Sequence, residues 1–148
     1  MAFNLMYEHT FEIQTGEDET TQEPIYSPLA AGIMSAEPAN NEELSQDRYF
    51  DGTGFGETDV IGAQLVITFS GHRDYDDEAQ NYIFEQLLKL GDSRRTRFRW
   101  TEPNGGTFEG NCTIANISGP SGDAGAKGEI SFEIHFNGTI DYTEPSAS

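Results

Sequence analysis

Alternation is the feature that most narrows what this chain can become. Ile130, Phe132, Ile134 and Phe136 alternate with Glu129, Ser131, Glu133 and His135. A period of two puts one set on each face of a strand, one turned to a core and the other to water. The rhythm recurs along the chain. Phe3, Leu5, Tyr7, Phe11 and Ile13 fall on odd positions against Asn4, Glu8, Thr10, Glu12 and Gln14, with Met6 out of phase. Leu65, Ile67 and Phe69 share a face within residues 60–70. Thr96, Phe98 and Trp100 alternate with Arg95, Arg97 and Arg99. A turn holding Asn104-Gly105 follows, then Phe108, Gly110, Cys112 and Ile114 on one face. Half-polar strands joined by such turns build antiparallel sheets.

Two segments depart from this rhythm. Between residues 76 and 90 the apolar positions Ala79, Ile83, Leu87 and Leu90 follow helical spacing, widened by Tyr82. Asp74 or Asp76 can cap this helix, Asp77 and Glu78 suit its first turn, and Gly91 suits its end. Residues 16–59 carry 11 acids, one base and three prolines with no sustained period. They are expected to form a long irregular acidic loop or arm, ordered mainly against a partner. Residues 143–148 read as a flexible tail. The predicted fold is mainly β: an antiparallel β-sandwich or barrel in one domain, 1–148, with a single flanking helix at about 76–90.

Charge excludes some functions. The chain has 26 acidic and 8 basic side chains, a net of −18. Phosphate repels such a surface, which argues against a dedicated nucleic-acid binder. Ten Phe, six Tyr and one Trp argue against a disordered acidic chain. No run of 18 apolar residues is present, so no membrane helix is expected. The opening residues Met1–Leu5 lack a basic region and an apolar run, and Cys112 stands alone. Both fit folding in a reducing compartment.

No catalytic, cofactor or metal site is expected, and the chain does not read as an enzyme. His9, His72 and His135 are far apart, and no metal-ligand spacing occurs. Asp74, Asp76, Glu78 and Glu85 match four positions of a calcium loop, but Ala79 stands where that loop needs glycine. Cys112 lies on an apolar strand face with no base beside it. The one basic feature is Arg94, Arg95, Arg97 and Arg99. It reads as a solvated face, a nucleic-acid contact or an intersubunit contact. The last is preferred, because arginine pairs bidentately with carboxylates and residues 16–59 of a neighbour would supply them.

The order of elements from Gly62 to Tyr142 resembles the major tail tube proteins of long-tailed bacteriophages. The matching features are Ser70-Gly71-His72-Arg73, then Asp76–Ile83 opening a helix that ends Leu90–Arg94, an Arg/aromatic strand, Pro103–Gly106, and Gly128–Phe136 with Asn137-Gly138. The resemblance implies a structural virion protein, assembled in the host bacterial cytoplasm and resident in the virion tail. Six copies close into a ring, and rings stack through a long loop. Its partners would be itself, tape-measure and tail-tip or terminator proteins, with DNA passing through the lumen without specific binding. No membrane is involved. Glu8, Glu12, Glu109, Glu129 and Glu133 stand opposite the apolar sets of their strands and are the lumen-facing candidates. The alternative is a monomeric β-sandwich binding module for carbohydrate or protein, with Trp100 and the tyrosines as its platform.

Overall fold

The computed structural model describes residues 3–145. It is mainly antiparallel β with one α-helix. The strands are β1 (Thr10–Glu17), β2 (Pro24–Pro28), β3 (Ile33–Ala39), β4 (Glu43–Arg48), β5 (Gly56–Gly62), β6 (Val66–His72), β7 (Arg95–Thr101), β8 (Thr107–Ser121), β9 (Glu129–Phe136) and β10 (Asp141–Thr143). The helix is α1 (Glu78–Glu85). One sheet runs in the order β2-β1-β7-β8-β9-β6-β3, with β10 added beside β8; β4 and β5 pair only with each other.

That sheet is curled onto itself. Laid flat, its seven strands would place β2 and β3 about 29 Å apart at the usual ~4.8 Å spacing. Yet residues 29–32 join those two edges, and the chain from Pro28 to Ile33 reaches at most about 18 Å. The link is bonded to both flanks: the Leu29 amide donates to the Phe11 carbonyl on β1, and the His72 amide on β6 to the Gly32 carbonyl, each at 2.7 Å. Phe11 and Phe69, four places apart in the strand order, meet edge-on with centroids 5.0 Å apart. The result is an open barrel around one core of Ile13, Phe69, Phe98, Ile114, Phe132, Ile134 and Phe136. Gly71 is required at the seam, since a Cβ there would land on the Gly32 carbonyl oxygen.

α1 closes the barrel with Ala79 and Ile83, both fully buried. Gln80 is buried beside them and fully bonded. Its amide nitrogen donates to the Ala31 and His72 carbonyls at 2.9 and 3.0 Å, and its oxygen accepts from the Asp74 amide at 2.8 Å. One side chain thereby ties helix, seam and β6 together.

Several expectations are corrected. The helix is shorter than 76–90. Its N-cap is Asp77, accepting from the Gln80 amide at 3.1 Å, while Asp74 caps a preceding turn through the Asp76 amide. Only its first turns reach the core, and Arg94 takes the Leu87 and Lys89 carbonyls at 2.9 and 2.8 Å, leaving Leu88 and Leu90 exposed. The opening alternation does not make a strand before Thr10. Met6–Glu8 is a 3-10 turn, capped by Glu8 accepting from the Leu5 amide at 2.7 Å, and Phe3 and Tyr7 are exposed. Residues 16–59 are not an irregular loop. They supply β2 and β3 to the sheet edges and build a hairpin from β4 and most of β5. Nearly every residue of β4 and β5 is exposed on both faces, so no alternation marks them in sequence. Thr143 ends β10, and the tail expected over 143–148 lies outside the described residues from 146 onward.

Candidate functional site

Curling gives the sheet an outer surface on which two sets of polar side chains stand apart. On the strands that line the core, β1, β6, β7, β8 and β9, the apolar set turns inward and the alternate set turns outward. The sequence-derived candidates divide between these two sets.

The first set is a cross-strand row. Strand register aligns Glu12 with Arg99, Arg99 with Glu109, and Glu109 with Asp141. The Arg99 guanidinium forks onto Glu12 at 3.2 and 3.3 Å, reaches Glu109 at 3.5 Å, and lies over the Tyr26 ring at 4.1 Å. Burial opposes the charge on Arg99, but the hydrogen bond and field of Glu12, with Glu109, outweigh it and raise its pKa. The Tyr26 hydroxyl donates to Glu109 at 3.1 Å. Burial, with the Glu109 carboxylate, pushes that phenol up. Arg97 donates to the Asn111 side chain at 3.1 Å and stands 3.9 Å from Glu109. Arg95 is more open, 67% exposed, with a 3.7 Å contact to an exposed Asp92. Arg95 and Arg97 line a groove of about 530 Å³ with Gln14, Thr15, Glu17 and Asn111. Arg94 is set apart: its guanidinium is held by carbonyls of its own chain, including Ile114 at 3.3 Å.

The second set belongs to β3, β6 and β9. Register brings Glu37 beside Thr68 and Thr68 beside Glu133, and lines up Ser35, Ser70 and Ser131. Glu129 stands beside His72. These three strands contain no lysine or arginine. Glu133 accepts from Asn116 at 2.9 Å and meets the His135 ring nitrogen at 2.7 Å. Those hydrogen bonds hold its carboxyl below the ordinary value. Glu8 belongs to neither set, being the cap of its 3-10 turn. The structure thus brings Glu12, Glu109 and three of the arginines together, with Glu129 and Glu133 apart from them on β9.

Trp100 is part of an aromatic stack, with its ring 4.8 Å from Phe108 and 6.0 Å from Phe11, and its indole N–H donating to His9 at 3.0 Å. It does not offer the open platform expected of a binding module. Burial pushes the Cys112 thiol up to about 12.

A third feature was not read from the sequence. The β4–β5 hairpin stands off the barrel, pinched at its base where the Gln64 amide donates to the Asn40 carbonyl at 2.9 Å and Asn41 bonds the Gln64 carbonyl at 3.2 Å. Among the described residues, no hydrogen bond or ion pair links residues 43–62 to the rest of the chain. Asp47 lies opposite Glu57, and Ser45 opposite Asp59, so one face is acidic. Leu44 lies opposite Val60 on the other. Tyr49, Phe50 and Phe55 are exposed at its tip.

No protein-family model matches the chain, and no curated protein sequence matches it. Solved structures do. A chain from the tail of an empty gene transfer agent (GTA) particle, computed with helical refinement and C6 symmetry, superposes with a TM-score of 0.73 at 14% identity, covering 96% of this chain and 100% of that one. A chain of the extended-state sheath–tube complex of an extracellular contractile injection system (PVC) gives 0.56 at 12% identity over 96% and 92%. A chain of the cap that terminates the anti-feeding prophage tube gives 0.55 at 15% identity over 97% and 94%. Identities this low speak to architecture, and the architecture of this chain is that of these tail, cap and tube-complex chains.

Proposed function

We propose that this chain is a structural, non-enzymatic subunit that closes into six-membered rings, the rings stacking into a tail tube through which DNA passes. The observation that carries this reading is the hairpin arm. A two-stranded hairpin is marginally stable in water on its own. This one makes no hydrogen bond or ion pair to its own barrel among the described residues and presents exposed aromatic residues, so a second copy is its natural support. The likeness of fold to the tail of a particle solved with C6 symmetry supports the same conclusion.

The bore wall is assigned to the outer surface of β3, β6 and β9. Glu37, Glu129 and Glu133 make it negative, and no fixed cation interrupts it. A carboxylate wall repels phosphate over roughly 8 Å at physiological salt, so DNA would slide without adhering. The outward face of β1 and β7, where Arg95, Arg97 and Arg99 sit, suits contacts between copies. Tape-measure and terminator proteins would complete the tail.

Negative-stain electron microscopy of the purified protein, beside its native mass across a concentration series, tests the proposal. Six-fold rings or hollow tubes are the expected result. A chain that stays single at every concentration, and also when seeded with tail tips, overturns it.

A further inference from the structure

We propose that the acidic face of the β4–β5 arm of one copy docks in the Arg95–Arg97 groove of another, with Glu57 and Asp59 as the paired carboxylates. This deepens the stacking reading and rests on it. Four observations lead to it.

The first is an electrostatic defect in the free arm. Asp47 and Glu57 are directly opposed across the hairpin, with Asp59 on the same face. Directly opposed like charges weaken a strand pair. Among the described residues no ion pair reaches Asp47, Glu57 or Asp59, and the Ser45 hydroxyl, donating to Asp47 at 3.1 Å, is a neutral partner. A cationic surface brought against this face would relieve the repulsion.

The second is an imbalance among the arginines. Arg99 is matched by Glu12 and Glu109 at 3.2 and 3.5 Å. Arg94 is held by carbonyls. Arg97 has a neutral amide and a 3.9 Å contact to a carboxylate already shared with Arg99. Arg95 has one exposed partner, Asp92. Arg95 and Arg97 are therefore the two arginines of the β7 surface with charge left to offer.

The third is spacing. Glu57 and Asp59 are alternate residues of β5, and Arg95 and Arg97 are alternate residues of β7. Alternate residues on a strand repeat at roughly 6.7 Å. The two charge pairs are commensurate without distortion of either strand, and the groove of about 530 Å³ beside them has room for the arm's side chains.

The fourth is placement. The arm leaves from β3 and returns to β6, whereas Arg95 and Arg97 stand on β7, three places from β6 and four from β3 in the strand order. Its own arm makes no bond to them, so the occupant is a second copy. Docking there leaves the β3–β6–β9 surface open as a bore wall.

Charge reversal tests the pairing. Arg95→Glu with Arg97→Glu, and separately Glu57→Arg with Asp59→Arg, are each expected to raise the protein concentration needed for assembly by about tenfold or more. All four substitutions in one chain are expected to restore assembly. Circular dichroism of each variant reports whether the barrel is folded. Arg95→Gln, at an exposed position outside the Glu12–Arg99–Glu109 network, keeps the test open if reversal at 97 unfolds the sheet; it is expected to weaken assembly in the same direction. A wild-type chain that assembles while folded reversal variants assemble equally well overturns this pairing and leaves the tube reading standing. Failure of the four-substitution chain to recover does the same. A wild-type chain that never assembles overturns both.

Discussion

Glu133 shows how one residue's environment becomes a pH dependence. Hydrogen bonds from His135 and Asn116 favour its ionised form and lower its pKa from the ordinary 4.5. A carboxyl with a depressed folded pKa stabilises the fold above its unfolded pKa, and that contribution is lost as pH falls through the folded value. Wild type is thus expected to exceed Glu133→Gln in stability near neutral pH, and the gap to close as pH drops below 4.5. Urea midpoints of both proteins from about pH 7 to about pH 3 would show it. The sequence placed Glu133 on the polar side of its strand. It could not name Asn116 as a partner, because that contact needs β8 and β9 side by side and the left-handed backbone at Asn116, φ 52°.

The arm is the element whose behaviour is separable from the barrel. Its residues contribute nothing to the core, so replacing residues 43–62 with a short glycine linker is expected to leave the barrel's melting temperature within a few degrees. The same deletion is expected to abolish tubes. Thermal denaturation read beside electron microscopy of one preparation checks both halves. A large drop in melting temperature would mean that the arm braces the barrel. Legibility is uneven at this scale. β7, β8 and β9 were plain in sequence because each buries one face and wets the other. β4 and β5 bury neither face, and period two is a signature of burial, not of strand geometry. The helix was legible in kind and overlong in extent, since Leu87 and Leu90 keep helical spacing after Arg94 has claimed the carbonyls of that turn.

For the whole molecule, the curl of the sheet decides which acids can act together. Of the five glutamates expected to face the lumen, Glu12 and Glu109 are engaged by Arg99, Glu8 caps a turn, and the proposed wall is built on Glu129 and Glu133. On the proposed arrangement, Glu129→Gln with Glu133→Gln leaves tubes intact and slows DNA release from assembled particles. Glu12→Gln leaves release unchanged, because its carboxylate serves the Arg99 fork. Dye-reported ejection kinetics separate the two. Equal rates for wild type and the double variant would remove the acidic wall from the proposal.

Composition and patterning by themselves determined a good deal: a folded acidic chain, antiparallel strands with one wet face, a single helix, and a buried thiol at Cys112. These are local properties, set by side chains repeating at the period of a strand or helix and by the cost of leaving aromatics in water. The tertiary structure alone decided that a short link between β2 and β3 pulls the sheet's edges together. It also decided that Glu12 meets Arg99 while Glu133 meets Asn116, and that part of the acidic segment pairs as a two-stranded hairpin. The physical reason is common to all three. Each depends on which strands become neighbours across long stretches of chain, and a strand's own pattern says which face is apolar without saying what that face will meet.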